Sequence, residues 1–366
     1  MIRRLKTADL DNTLSASNTY PPLSARSTTF LKTTTPSKII PSAAPLSLIK
    51  TSQLHRYAAG ILTLLTSSIL LQAQPRPDGP PRMRKHTATE AREWQPVPAN
   101  ETLPYESRSE FRRSDEQMQV QANAIPQHKV GQFPNRRNPH SIREQKLAFN
   151  LPLNPVPLKE PIPLHNDSGR GPPNTPFGIA ANGVLFDPGT AEFYLGDRSA
   201  DWNYEALSGA VILGLDAHHA HVQPNGSYHY HGLPTGLLER LKLQPKAHSP
   251  LIGFAMDGFP IYALYGYRDA RDPNSPIVKL RSSWQLKRGN RPGGNNKPSG
   301  AYDGTFSKDY EYVQGSGDLD ECNGRFTLTK EFPQGTYAYF LTEDWPVIPR
   351  YFRAQPLKLR EARSRH

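Results

Sequence analysis

Beyond Gly171 the apolar residues of this chain fall in short runs, each cut off after a few positions by Gly, Pro, Asn or Asp. Runs of that length bounded by turn formers read as strands rather than helices. Residues 177–186 predict two short strands around an Asn182-Gly183 turn, and 191–195 a third strand or a short helix. Further runs follow at 210–215, 251–256 and 261–265. Segments 310–313, 325–329 and 336–342 alternate in the strand manner, the period of two that turns one face inward. Helical spacing is confined to 234–243, where Leu237, Leu238 and Leu241 share a face. The pattern predicts a mainly β fold over residues 172–353, a sandwich or barrel-like domain with few short helices.

Upstream this texture is lost, and the region reads as long and irregular. Residues 1–53 are rich in Ser, Thr and Pro without helical or strand period, and read as a disordered extension or as sequence ahead of the true start. His55-Arg56-Tyr57 then precedes an apolar run at 58–71, closed by Ala73 and the proline-rich 75–81. A basic flank, a short apolar run and a small residue before turn formers describe a secretory signal peptide within 54–73. The run falls short of the roughly 20 residues of a membrane span. The expectation is removal after Ala73 and a secreted, periplasmic or cell-surface protein. A membrane is a partner only if 58–73 stays on as an uncleaved anchor. Residues 74–171 are polar and proline-studded and read as a largely disordered linker, with short helices at 90–93 and 107–120 and an extended end. Residues 354–366 form a basic tail.

A formal charge of +11 invites a nucleic-acid reading, but residues 170–353 carry 18 Lys and Arg against 19 Asp and Glu. A nucleic-acid-binding domain carries its positive field on the folded part, so this class of partner is set aside. The one cysteine, Cys322, excludes an intrachain disulfide framework and a cysteine-rich zinc module. Acids beside Cys322 raise rather than lower a thiol pKa, the opposite of what a nucleophile needs.

The densest chemistry is Asp216-Ala-His-His-Ala-His-Val-Gln-Pro-Asn-Gly-Ser-Tyr-His-Tyr-His231, which holds five of the chain's twelve histidines. Pro224-Asn225-Gly226 suits a three-residue hairpin loop with glycine in the left-handed position. That loop pairs Val222 with Tyr228, His221 with His229 and His219 with His231. Paired residues share a face, so four imidazoles converge on one side while His218, Val222, Tyr228 and Tyr230 take the other. An Asn-Gly turn of two residues would instead set His221 beside Tyr230. Neutral imidazoles each offer one lone pair, and three from adjacent strands leave a fourth position open, as in catalytic zinc sites; the same nitrogens suit copper. His221, His229 and His231 are the principal candidate ligands. His219, which joins only if the strand stays regular, and His248, which lies outside the hairpin, are secondary ones.

The stretch Tyr228-His229-Tyr230-His231-Gly232, preceded by His221-Val222-Gln223-Pro224, resembles the signature of the YHYH-domain family. Further pieces of that signature follow in order: the segment from His248 to Tyr262, Asp303-Gly-Thr, the segment from Gly317 to Phe326, Gly335-Thr-Tyr and Ile348-Pro-Arg350. The resemblance covers roughly residues 175–353 and implies no particular activity. Relatives often have a cysteine after the Ile-Pro-Arg piece, where this chain has Tyr351, so no disulfide or thiolate role carries over to Cys322.

Asp257, between apolar runs at a glycine turn, is the candidate catalytic residue: a carboxylate holding an imidazole tautomer or a general base, or else a turn cap. Asp216 has the same two readings, with the turn cap favoured. The acids of 318–324 superficially resemble a calcium loop, but position twelve of the frame is Thr329, so calcium is not expected. Tyr310, Tyr312, Tyr337 and Tyr339 read as a sugar platform or as cross-strand packing. The chain is thus expected to be an exported metalloprotein with a histidine-built zinc or copper site. The alternative is a non-catalytic extracellular module for a small molecule or glycan, and whether the protein is an enzyme is open at this level.

Overall fold

The structure, a computed structural model, describes residues 85–164 and 176–357 together with the backbone of Arg3–Lys6. The signal-like segment 54–73 and most of the basic tail lie outside the described residues. Of the N-terminal extension only Arg3–Lys6 is described, as a strand antiparallel to Ser109–Arg113.

An eight-stranded mixed sheet forms the body. Its order is Gly324–Thr327, Thr336–Leu341, Pro260–Ala263, Gly253–Ala255, Gly178–Ala180, Leu185–Phe186, Tyr228–Tyr230 and Ala220–Val222. Two neighbouring pairs run parallel, Pro260–Ala263 with Thr336–Leu341 and Leu185–Phe186 with Tyr228–Tyr230. Pro260–Ala263 is buried at all four positions and Thr336–Leu341 at five of six, so this parallel pair is covered on both faces, where the alternation of 336–342 predicts one. The turn between Gly178–Ala180 and Leu185–Phe186 is the expected Asn182-Gly183, with Gly183 at φ +80°. The helix Thr235–Arg240 lies within the predicted 234–243 and buries Leu237 and Leu238. Among the described residues the fold is therefore mainly β with one short α-helix, as its pattern predicts. Among the described residues no helix is long and apolar enough to cross a membrane.

The region upstream of 171 departs from its linker reading. Ser109–Arg113, Gln117–Ala122 and Leu147–Pro152 form an antiparallel meander. Phe111, Met118, Val120, Ala122 and Leu151 are buried in the same core as Ile179, Phe186, Tyr228 and Tyr339. The stretch expected to be helical at 107–120 is thus two strands, because its apolar side chains alternate with glutamines and have a buried face to meet. No helix forms at 90–93, and 191–195 makes isolated bridges rather than a strand or helix.

Two buried ion-pair networks clamp the long loops. The Arg291 guanidinium, fully buried, bonds Asp303 and Asp309, and Asp309 also accepts the backbone N–H groups of Gly304 and Phe306. Arg350 bonds Glu205 at 2.6 Å. The Asp303-Gly-Thr and Ile348-Pro-Arg pieces of the signature therefore hold loop geometry.

Candidate metal centre

The hairpin Ala220–Val222/Tyr228–Tyr230 closes through Gln223, whose N–H donates to Ser227, with Gly226 at φ +88° and its N–H on the Gln223 carbonyl. That is the three-residue loop, and the register is Val222 with Tyr228 and His221 with His229. The tyrosines anchor one face. The Tyr228 hydroxyl donates to Asp216 at 2.7 Å, and the Tyr230 hydroxyl meets the His128 ring at 2.7 Å and accepts from Asn182 at 2.9 Å. Asp216 is wholly buried and also accepts the N–H groups of Gly131 and His218, both at 2.9 Å. It is the turn cap of its two readings, and it ties the hairpin to the N-terminal segment.

On the other face His221, His229 and His231 converge. Their Nε2 atoms stand 2.9 Å apart for His229 and His231 and 3.1 Å apart for His231 and His221. The three Nδ1 atoms point outward to backbone carbonyls: His221 to Leu213 at 3.0 Å, His229 to Ser227 at 3.3 Å and His231 to Pro188 at 3.3 Å. A carbonyl only accepts, so each Nδ1 that satisfies it carries the ring's proton. The inward Nε2 atoms are then bare lone pairs facing one another, an arrangement that a cation turns from repulsive to favourable. Nitrogens held about 2.0–2.1 Å from one tetrahedral ion stand roughly 3.3 Å apart, close to the observed spacing. Burial, and next the neighbouring rings, hold His231 well below the usual imidazole range and bring His221 down to about 3, so both rings are neutral and free to bind. This triad could bind a metal.

The secondary candidates do not join it. His219 adopts φ +57°, which ends the regular strand, and its Nδ1 meets the Leu233 carbonyl at 2.7 Å while its ring packs on Trp94. His248 packs against Tyr262 and Tyr267. Asp257 is fully buried in the core, where its carboxylate accepts from the Tyr339 hydroxyl and the Ala354 N–H; burial raises it to about 6. It serves that core network and lies outside the triad. Tyr337 is likewise buried, its hydroxyl on Asp320, so the tyrosines of Thr336–Leu341 are packing rather than platform. In the calcium-like loop Asp320 is engaged by Cys322 and Gly324 N–H groups and the Arg353 guanidinium, and Asp318 by Arg281. Cys322 is buried, and burial pushes its thiol up, away from reactivity.

The triad lies in the wall of a cleft of about 450 Å³. Asp187 and Glu192 bring carboxylates to it, and Phe193, Val211 and Leu213 an apolar side. Asp187 is nearly buried and accepts from Gln223 at 3.0 Å, while burial raises Glu192 above the ordinary carboxylate range. These residues carry no motif of their own. Asp187 had one available cue, its place directly after the strands predicted at 177–186; the parallel pairing of Leu185–Phe186 with Tyr228–Tyr230 appears only in the structure.

Fold and site together define a mainly β protein with a buried three-histidine centre. The chain matches the YHYH protein family over residues 148–354, more than half its length, and belongs to that family. The match begins within Leu147–Pro152, so the last strand of the meander is part of the family domain. No curated protein and no solved structure matches the chain.

Proposed function

We propose that this chain is an exported metalloprotein in which His221, His229 and His231 hold one zinc or copper ion, with zinc preferred. The observation that carries the reading is the opposed pair of commitments in each ring, Nδ1 to a carbonyl and Nε2 to a shared point. A neutral all-nitrogen set is at home on zinc, and among the described residues no cysteine joins the cluster to favour a copper electron-transfer site. A zinc ion bound there supplies Lewis-acid chemistry at the cleft. Asp187, fixed by Gln223, and Glu192 give a bound molecule acceptors, while Phe193 and Val211 give it an apolar surface. A cleft of about 450 Å³ takes a small organic molecule rather than a polymer. Export enters the reading through the signal-like sequence of 54–73 alone.

The test is elemental analysis of protein purified without added metal, followed by chelator treatment and reloading. One equivalent of zinc per chain, lost in His229→Ala/His231→Ala, is the expected result. A metal-free product with no tight uptake of zinc or copper would overturn it.

A further inference from the structure

A second cleft, of about 490 Å³, shares no lining residue with the histidine cleft. Its aromatic lining is Trp284, Tyr310 and Trp345, all half-buried. Trp284–Leu286 pairs with Tyr310–Tyr312 in a small antiparallel sheet, with Trp284 opposite Tyr312 and Leu286 opposite Tyr310. The rings form a rigid ladder. Tyr310 lies parallel to Trp345 at 4.4 Å, Trp345 meets Trp284 edge-on at 5.0 Å, and Trp284 stacks on Tyr351 at 5.7 Å. The Trp284 indole is further held by its N–H on the Glu321 carbonyl.

Rings sunk in a core need no polar company, but these open on a cleft whose rim carries Arg281, Ser316, Glu343 and Asp344. Asp344 is exposed and its carboxylate accepts no hydrogen bond among the described residues, while Glu343 meets only Lys279 at the surface. An aromatic wall edged by carboxylates matches one chemistry closely. A sugar ring presents a C–H face to an aromatic plane and, at its edge, hydroxyls that both donate and accept.

We propose that this cleft binds a neutral oligosaccharide, stacked on the Trp345, Tyr310 and Trp284 surface and hydrogen-bonded to Asp344 and Glu343. A proline-rich peptide also seeks aromatic grooves, but proline has no N–H to offer these carboxylates, whereas sugar hydroxyls do. The two acids therefore favour the sugar.

Titration of the full chain with cellohexaose and with chitohexaose, followed by tryptophan fluorescence, tests the proposal, with a polyproline peptide run beside them. Glu343→Ala/Asp344→Ala changes exposed side chains and keeps the test decisive if Trp345→Ala fails to fold. Expected are a saturable response to at least one sugar, persistence in chelator and in His229→Ala/His231→Ala, and roughly tenfold weaker binding in the acid variant with unchanged circular dichroism. No saturable response to either sugar would overturn the proposal. So would a response indifferent to the acid variant, one abolished by chelator, or one confined to polyproline.

Discussion

His229 and His231 aim their Nε2 atoms at each other across 2.9 Å while their Nδ1 atoms turn away to the carbonyls of Ser227 and Pro188. Two residues apart on one strand, they share a face by simple alternation, and the parallel strand Leu185–Phe186 delivers Pro188 where the second ring needs its acceptor. The hairpin brings His221 opposite His229, and the centre is complete.

This geometry separates ligands from neighbours. His231→Ala is expected to weaken zinc binding by more than about 100-fold, beyond the usual cost of losing a supporting hydrogen bond. His219→Ala should keep one equivalent, because its ring faces Leu233 and Trp94. Competition against a chromogenic chelator measures both. Equal losses in the two variants would mean the hairpin rearranges on binding.

Acid should destabilise the metal-free protein through the same rings. An unfolded histidine protonates near 6.5, whereas folded His221 resists until about 3 because burial opposes its charge. Below 6.5 the unfolded chain takes up a proton the folded chain refuses, so this contribution is whole above 6.5 and lost as pH falls toward 3. Between pH 7 and 5 it is worth about 2 kcal/mol for His221. Asp257, raised to about 6, acts with the opposite sign over part of this range. Urea unfolding in chelator at both pH values, for wild type and His221→Asn, isolates the histidine term; equal slopes in the two proteins would refute it.

Asp216→Ala should cost about 3 kcal/mol, because it strands the buried Tyr228 hydroxyl and the Gly131 N–H together. Tyr228→Phe leaves Asp216 its backbone donors at Gly131, His218 and Ala220 and should cost about 1 kcal/mol. Urea midpoints read the difference, and a milder effect from the aspartate than from the tyrosine would reverse this assignment of roles.

The hairpin was legible because its loop, register and ligands all lie within sixteen consecutive residues. What surrounds it was not, since Leu213, Pro188 and Gly131 act through backbone atoms that carry no side-chain signature. His219 turned out of the cluster at a left-handed backbone position, which sequence alternation cannot foresee. The meander at 109–152 was hidden by its prolines and charges, although Gln117-Met-Gln-Val-Gln-Ala122 alternates cleanly and its apolar half is buried. Tyr310 and Tyr312 looked equivalent to Tyr337 and Tyr339 in one dimension; only the topology puts the first pair on a small two-stranded sheet and the second on a buried strand of the large one.

Export has its own reading. If 54–73 is a signal, N-terminal sequencing of protein from the native host should find a chain starting near Gln74 in the soluble fraction outside the cytoplasm. An intact segment in the membrane fraction would favour an anchor.

The motif alternates tyrosine and histidine, and the structure divides the work between them. Tyr230 faces away from the triad, where its hydroxyl meets His128 and Asn182 in the core. Tyr230→Phe keeps the ring and its packing against Phe186 while removing that hydroxyl, so it should cost about 1–2 kcal/mol of stability by leaving buried groups short of a partner. Zinc stoichiometry should stay at one, since no ligand atom moves faces. His229→Ala should behave in reverse, abolishing metal while disturbing the hydroxyl network little. Parallel zinc analysis and urea unfolding of the two variants checks the division; loss of zinc from Tyr230→Phe comparable to that from His229→Ala would show that both faces of the strand serve one site.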